Sequence, residues 1–376
     1  MKKFKSIDLT LMLCIVILVF LGVMMVFSSS YYYAMAIWEN KFLFLKKEIL
    51  WVVLGFISMG FTMNIDYHFW RRISWPLFIT SLVLLLLLFT PLGVKINGAR
   101  RWLDIGPTTL MPSEFAKLAL IVFVSDQLVK RRRYLHLFKE GMVPFLAIIA
   151  IYSGLVILQP NLSTAITLSL VVIVMIYVAG VRISHLLALA AGGISAIILA
   201  IATSEYRMKR FTTFLDPFKD TKGDGYQVVQ SLYALGTGGI FGVGLGQSTL
   251  NKLYIPEPQN DFIFATIGEE LGWVGSVVII MIFLTLIYRG IKIAINAPDL
   301  FGSLLATGIT ALVGIQVMIN LAVATSSMPV TGLPLPFISY GGNFLFLLLT
   351  LMGILLNISR QTVERHDRGV EGIEGE

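Results

Sequence analysis

Residues Ser81 to Phe89 read SLVLLLLLF, an unbroken apolar run with none of the alternation a barrel strand carries. Membrane barrels are written in segments of about ten residues of alternating hydrophobicity, so this run excludes a barrel and requires helices. The rest of the chain agrees with it. With 56% hydrophobic and 14% charged residues and a mean hydropathy of +0.82, the 376 residues lack the polar surface to wrap a water-soluble core. A spanning helix needs about 20 apolar residues. Ten segments are candidates: 9–28, 49–64, 74–90, 113–129, 142–159, 162–180, 183–203, 262–288, 300–324 and 336–358. The chain reads as all-α, a polytopic integral membrane protein with about ten transmembrane helices.

Lys2, Lys3 and Lys5 precede the first apolar stretch, and Ala34-Met35-Ala36 after it resembles a cleavage site. Leu9 to Phe27 is 19 residues long, beyond the roughly 7–15 of a cleaved signal, which favours an uncleaved first helix. Orientation follows from Lys and Arg in the short connections. A cytoplasmic N-terminus places sixteen inside, and the short outer connections hold six: Lys41, Lys46, Lys47, Lys95, Arg100 and Arg101. Both termini are expected in the cytoplasm and the long loop 204–261 outside. The net charge of +7 is then chiefly a topology signal. Lys130 to Arg133, KRRR, fits a juxtamembrane turn facing lipid better than a nucleic-acid site, and no nucleic-acid partner is expected. Cys14, alone in the first span, excludes an intramolecular disulfide.

Residues 1–363 read as one transmembrane domain, and the polar stretch 364–376 as a disordered cytoplasmic tail. Two outer segments, 91–112 and 204–261, are too long for plain connections. Within the second, Tyr226 to Leu235 places Val228, Val229, Leu232, Tyr233 and Leu235 near one helical face, the pattern of a helix lying on the outer leaflet. The glycines of GTGGIFGVGLG, Gly236 to Gly246, do not form a nucleotide-binding signature and read as close-packed turns.

Pro256 to Gly272, PEPQNDFIFATIGEELG, closes the long loop and opens the eighth span, so Asp261 stands where water meets hydrocarbon. Ionisable groups within apolar helices are few, and such groups tend to face a protein interior or a cavity. Glu114 and Lys117 lie three apart on one helix face. Lys117 and Asp261 fall near the outer ends of their spans and are expected to pair; the plain alternative is that Asp261 caps its helix. Glu269 and Glu270 lie about 12 Å farther along, and interhelix hydrogen bonding suits them better than catalysis. Gln159, Asn161, Gln316 and Asn320 read as polar glue between helices. In NGARRWLDIG, Asn97 to Gly106, two guanidiniums adjoin an aromatic ring, a set suited to phosphate at headgroup level or to simple anchoring. His68, His136, His185 and His366 fall on or near the cytoplasmic side, and nothing resembles a Ser/His/Asp triad or a zinc site.

These segments, with PSEFAKLAL (Pro112 to Leu120), QPNLSTA (Gln159 to Ala165), GDGYQVVQSLYALGTGGIFGVGLG (Gly223 to Gly246) and MPVTGLPLPFISYGG (Met328 to Gly342), resemble the SEDS family of bacterial membrane proteins, the FtsW, RodA and SpoVE group. The resemblance covers nearly the whole chain. It implies ten helices and a peptidoglycan glycosyltransferase that joins lipid II into glycan strands outside the membrane, for division, elongation or sporulation. It also implies a class B penicillin-binding transpeptidase as partner, alongside other divisome or elongasome membrane proteins. Asp261 matches the family's essential acid, and Arg101, Trp102 and Lys117 match positions important to it. IGEELGWVG and SSMPVTGLPLPF lie closer to the FtsW and SpoVE side. Asn161 and Ser163 stand where many members have Asp and Gly, and Asn343-Phe344 where Ser-Ser is usual; these departures are expected to affect only local packing.

The diphosphate of lipid II is already a good leaving group, so the paired carboxylates of glycosidases are not required. One base suffices, with cations on the departing diphosphate. Asp261 is expected to be that base, with Arg100, Arg101, Trp102, Lys117 and Glu114 binding substrate. A divalent cation, Mg or Mn, is compatible with this chemistry, but no residue set in the sequence establishes one. A lipid II flippase would also need buried charges, though transporter sites lie at the midplane and these groups gather at one face. A non-catalytic scaffold for the transpeptidase is the third reading.

Overall fold

Asp8 starts the first helix by accepting the Leu11 N–H at 3.0 Å. That helix, α1 (Leu9–Trp38), is followed by α2 (Leu43–Asn64), the short α3 (His68–Arg72) and α4 (Ser74–Leu87). Then come β1 (Gly93–Ile96), β2 (Ala99–Asp104), β3 (Thr109–Leu110), α5 (Pro112–Lys130), α6 (Val143–Leu158), α7 (Leu162–Val178) and α8 (Ile183–Ala202). The chain ends with α9 (Glu205–Leu215), α10 (Tyr226–Thr237), α11 (Ile263–Ile295), α12 (Leu300–Ala324) and α13 (Gly342–Glu371). This computed structural model describes residues 7–96, 99–104, 106, 109–219, 221, 223, 225–249 and 259–371. The basic N-terminus, the asparagine and glycine that open NGARRWLDIG, and Pro256 to Pro258 fall outside them.

Each of the ten expected spans coincides with a helix, although α1 runs on to Trp38 and α2 already begins at Leu43. Among the described residues six helices are long and apolar enough to cross a membrane, and α4 and α7 are shorter apolar ones. The backbone of α13 continues to Glu371, into the stretch that composition marks as a tail. Burial is deep in α5, α12 and α13, which form the centre: α13 lies against α2, and α12 against α11, α7 and α5. In contrast α8 buries none of its residues; it meets its chain neighbours α7 and α9 and, through the His185 ring, Phe138, and most of its apolar surface is left to lipid.

The segment 91–112 adds a small antiparallel sheet, order β1-β2-β3, to the helical reading. Lys95 pairs with Arg100 and Val94 with Trp102, so Arg101 is an extra residue in β2, a bulge. Bulges re-aim side chains next to functional sites. Here Arg100 stays exposed while Arg101 turns half-buried toward the bundle.

The longest helix is broken. Gly272 in α11 has φ 68° and ψ −167°, a conformation only glycine adopts without strain, so residues 263–271 form a separate short helix. The glycine-rich segment meets the freed polar groups. Val243 N–H donates to Glu269 O at 2.9 Å, Gly244 N–H to Glu270 O at 3.1 Å, and Trp273 N–H to Gly239 O at 2.9 Å. The reading of these glycines as close-packed turns holds, since a Cβ on Gly242 would lie 2.2 Å from Glu270 O.

The amphipathic helix α10 exists, but it docks on protein instead of lying on a leaflet. It packs on α11 and α12, burying Val228, Val229, Ser231 and Ala234, while Tyr233 is exposed. The Ser231 hydroxyl donates to Ala324 O at 2.8 Å, which makes its burial tolerable.

Gly272→Ala is expected to destabilise the protein by more than the roughly 1–3 kcal/mol of backbone strain, because the new Cβ would also meet Gly242 N at 2.3 Å. Thermal unfolding of the purified protein should show a lowered midpoint, whereas Gly154→Ala, with open space at its Cβ, should not.

Candidate active site

Asp261 lies in the turn just before the short helix 263–271, half-buried. Its position is set from three sides. Asn320 of α12 donates through Nδ2 to Asp261 O at 2.9 Å and to Leu333 O at 2.8 Å, tying the turn to the loop that joins α12 to α13. In that loop Ser339 Oγ donates to Asn260 O at 2.7 Å, and Tyr340 N–H to Gln259 O at 2.9 Å. Gly332, at φ 73°, lets the loop backbone pass close to the acid: a Cβ there would lie 3.4 Å from Asp261 Oδ2. Asn320 thus acts as the polar glue its residue type suggests.

Basic groups face this turn from two other elements. The Arg101 side chain donates from Nη2 to Pro160 O and from Nε to Gln159 O at 3.4 Å, docking the bulged strand on the α6–α7 turn. On α9, Arg210 Nη1 donates to Val330 O at 2.9 Å and its guanidinium stacks 4.6 Å from the Tyr206 ring. Tyr206, Arg210 and Asp261 lie close enough to Arg101 to act on its charge. Burial pulls the Arg101 pKa below its ordinary value; Tyr206 opposes this, Arg210 adds to it and Asp261 opposes it. Beside them a cavity of about 330 Å³ opens between α9, α10 and the α12–α13 loop, lined among others by Tyr206, Lys209, Arg210, Tyr226 and Val330.

Lys117 does not pair with Asp261. Its ammonium sits 2.7 Å from both oxygens of Glu114, fully buried, with the Phe344 ring centroid 5.1 Å away. The reason is helical spacing: the i, i+3 partner is in reach without any rearrangement. Of the expected substrate-binding residues, the structure brings Arg101 near Asp261, holds Glu114 and Lys117 as a buried pair at the start of α5, and leaves Arg100 exposed and Trp102 half-buried on β2.

Glu269 and Glu270 are structural, as their spacing suggested. Ser248 Oγ and the Thr249 N–H donate to Glu269, the latter at 2.9 Å. Ser28 Oγ of α1 donates to both oxygens of Glu270, at 2.5 and 2.7 Å.

Sequence reasoning missed five contributors. Tyr206 and Arg210 sit in the long loop, where no pattern marked them. Gln159 was read as glue, yet its buried side-chain amide has no hydrogen-bond partner among the described residues, while its backbone carbonyl accepts from Arg101. Phe344 and Asn343 were taken as a packing detail; Phe344 covers Lys117, and Asn343 Nδ2 donates to Thr109 O at 2.6 Å, fixing the outer sheet. The other flagged pair also touches the site's framework, with Asn161 capping α7 and Ser163 Oγ donating to Thr331 O at 2.5 Å. Among the described residues no group of three or more His, Cys, Asp or Glu is placed to hold a metal ion.

Comparison with known proteins places this arrangement in context. The family described as cell cycle protein, FtsW/RodA/SpoVE, matches residues 8–364. Stage V sporulation protein E of Bacillus subtilis is 44% identical over 359 residues, covering 95% of this chain and 98% of the relative. A probable peptidoglycan glycosyltransferase FtsW of Geobacter sp. strain M18 is 40% identical, covering 96% of this chain and 98% of the relative. Among solved structures, a chain from work described as structural coordination of polymerization and crosslinking by a peptidoglycan synthase complex superposes with a TM-score of 0.78 at 28% identity, covering 95% of this chain and 98% of that one. The rod shape determining protein RodA of Thermus thermophilus superposes with a TM-score of 0.68 at 27% identity, covering 95% of this chain and 97% of that one.

Removing one member of a buried ion pair leaves the other charge uncompensated, at a cost of about 3–5 kcal/mol. Lys117→Met is therefore expected to lower the unfolding midpoint strongly, and Lys117→Met with Glu114→Gln to recover much of the loss. The check is thermal unfolding of both variants in one detergent.

Proposed function

The chain belongs to the FtsW, RodA and SpoVE family of cell cycle proteins, and we propose that it is a peptidoglycan glycosyltransferase whose reacting groups gather at Asp261. It is a multi-pass protein of the cytoplasmic membrane. The observation that carries the catalytic reading is the Asn320 bracket. It fixes the backbone of an acidic residue beside a loop, a cavity and two guanidiniums at one end of the bundle.

In this reading both termini are cytoplasmic and the Asp261 end faces outward. The donor is a disaccharide peptide on an undecaprenyl diphosphate, lipid II. Asp261 accepts the proton of an acceptor sugar hydroxyl as that oxygen forms its bond to the donor's anomeric carbon. The bond from that carbon to the diphosphate breaks, the electron pair leaves with the diphosphate, and an α-linked donor gives a β-linked strand by inversion. Arg101 and Arg210 stabilise the departing charge, because guanidiniums in a partly dry site match phosphate oxygens with little reorganisation. The unpartnered Gln159 amide supplies a further polar contact to substrate. Arg100 and Trp102 guide the substrate from the exposed rim of β2. Glu114 and Lys117 hold the start of α5 rigid beneath the site. No step is routed through a metal ion.

The relative solved as part of a peptidoglycan synthase complex couples polymerization to crosslinking, and a crosslinking partner, a class B penicillin-binding transpeptidase, fits this chain too. The amphipathic face of α10 is already covered by protein, so such a partner would dock on the exposed apolar faces of the other helices.

Purified protein reconstituted with labelled lipid II is expected to form glycan strands. Asp261→Asn, nearly isosteric, should lower the rate by at least about 10² while leaving the unfolding midpoint near wild type. Lipid translocation without polymer would instead show a transporter, and full polymerisation by the Asp261→Asn protein in complex with its transpeptidase would show a scaffold.

A further inference from the structure

The end of the bundle opposite Asp261 carries a second charged site. From the Asp261 turn α11 runs the full thickness of the molecule to Ile295, and Asp299, capping α12, meets His68 Nε2 at 2.8 Å. Next to this junction a cavity of about 730 Å³ opens between α3, α4 and the end of α5, with Phe69, Arg71, Arg72, Trp75, Asp126 and Lys130 in its wall.

The charge in this cavity is unbalanced. Asp126 is fully buried and takes three donors: Arg71 Nε at 3.1 Å, Ser74 Oγ at 3.0 Å and Lys130 Nζ at 2.6 Å. Two cations thus share one carboxylate. Asp66, the other acid in the wall, accepts from His68 Nδ1 at 2.7 Å if that nitrogen carries the proton. Arg72 is exposed and has no hydrogen-bond or ion-pair partner among the described residues. Arg132 and Arg133 continue the basic run past Lys130, both exposed. The rim is aromatic: Trp75 and Phe69 are 50% and 44% exposed, the kind of side chain that settles at the headgroup level of a bilayer.

A net-positive pocket with an unpartnered guanidinium, an aromatic rim and membrane-embedded helices on both sides fits one chemistry, a phosphodiester carried at the membrane surface. We propose that this pocket binds the headgroup phosphate of an anionic glycerophospholipid, with Arg72 making the direct contact and Arg71 and Lys130 supplying the surrounding field. The lipid is not the polymerisation substrate, since it occupies the end of the bundle remote from Asp261. With Asp261 outside, the bound lipid belongs to the inner leaflet. Its headgroup bridges α3 and α4 to α5, the helix whose other end holds Glu114 and Lys117.

The test uses the full-length protein in detergent, equilibrated with equal amounts of phosphatidylglycerol and phosphatidylcholine and read by native mass spectrometry. Phosphatidylglycerol is expected to be retained preferentially. Arg72→Gln should weaken its retention about fivefold, the worth of one basic residue at a membrane surface, with an unchanged unfolding midpoint. Arg72→Lys should keep most of it, and Gln247→Ala, at the opposite end, should keep all of it. Equal retention of the two lipids, or no effect of Arg72→Gln, overturns the proposal. Displacement of phosphatidylglycerol by inorganic phosphate at similar concentration would assign the pocket to a free anion and overturn it as well.

Discussion

A backbone inside hydrocarbon must satisfy its own polar groups, and the interruption of α11 at Gly272 is possible only because a loop is there to satisfy them. The glycine-rich segment from Gly238 to Gly246 approaches closely enough to receive the carbonyls of Glu269 and Glu270 and to accept the amides of Trp273 and Val274. That exchange separates residues 263–271 from the long apolar helix below. Asp261 therefore precedes a short helix clamped under an outer loop, not the free end of a long one. The side chains of Glu269 and Glu270 reinforce the clamp through Ser248, Thr249 and Ser28, so carboxylates that look catalytic by type are consumed in holding the acid's platform.

The site is assembled from segments far apart in the chain. β2 supplies Arg101, the α6–α7 turn supplies Gln159, α9 supplies Tyr206 and Arg210, and the α12–α13 loop closes over Asp261 through Gly332. Its polar contacts are mainly from side chains to backbone oxygens, which fix positions without neutralising charge. Arg101 and Arg210 are held by these backbone contacts on two sides of a half-buried acid. The buried ion pair of Glu114 with Lys117 is internally balanced and adds rigidity rather than field.

Much of this was legible in the residues. Apolar runs located the long helices, because a helix in lipid declares itself by length and composition. The interhelix hydrogen bonding of Glu270, to Ser28 of α1, followed from its place along the helix. What was not legible came from tertiary neighbours. The Lys117 partner was decided by an adjacent turn, and the turn-out of Arg101 by a bulge that no residue pattern announces. Tyr206 and Arg210 sit on a helix, α9, that polar composition hid inside a loop. Phe344 looked like a variation in packing until its ring was found against an ammonium. In each case a residue's role was set by what folds against it.

The central claim is that Asp261 must be ionised to take a proton from the acceptor. The most direct measurement is the pH dependence of strand formation from labelled lipid II, taken for the wild-type and Asp261→Asn proteins under the same conditions. The account predicts that the wild-type rate falls on the acid side and that the residual rate of Asp261→Asn has lost that acid limb. An Asp261→Asn protein that keeps the same acid limb would assign the titrating base to another group and contradict the account.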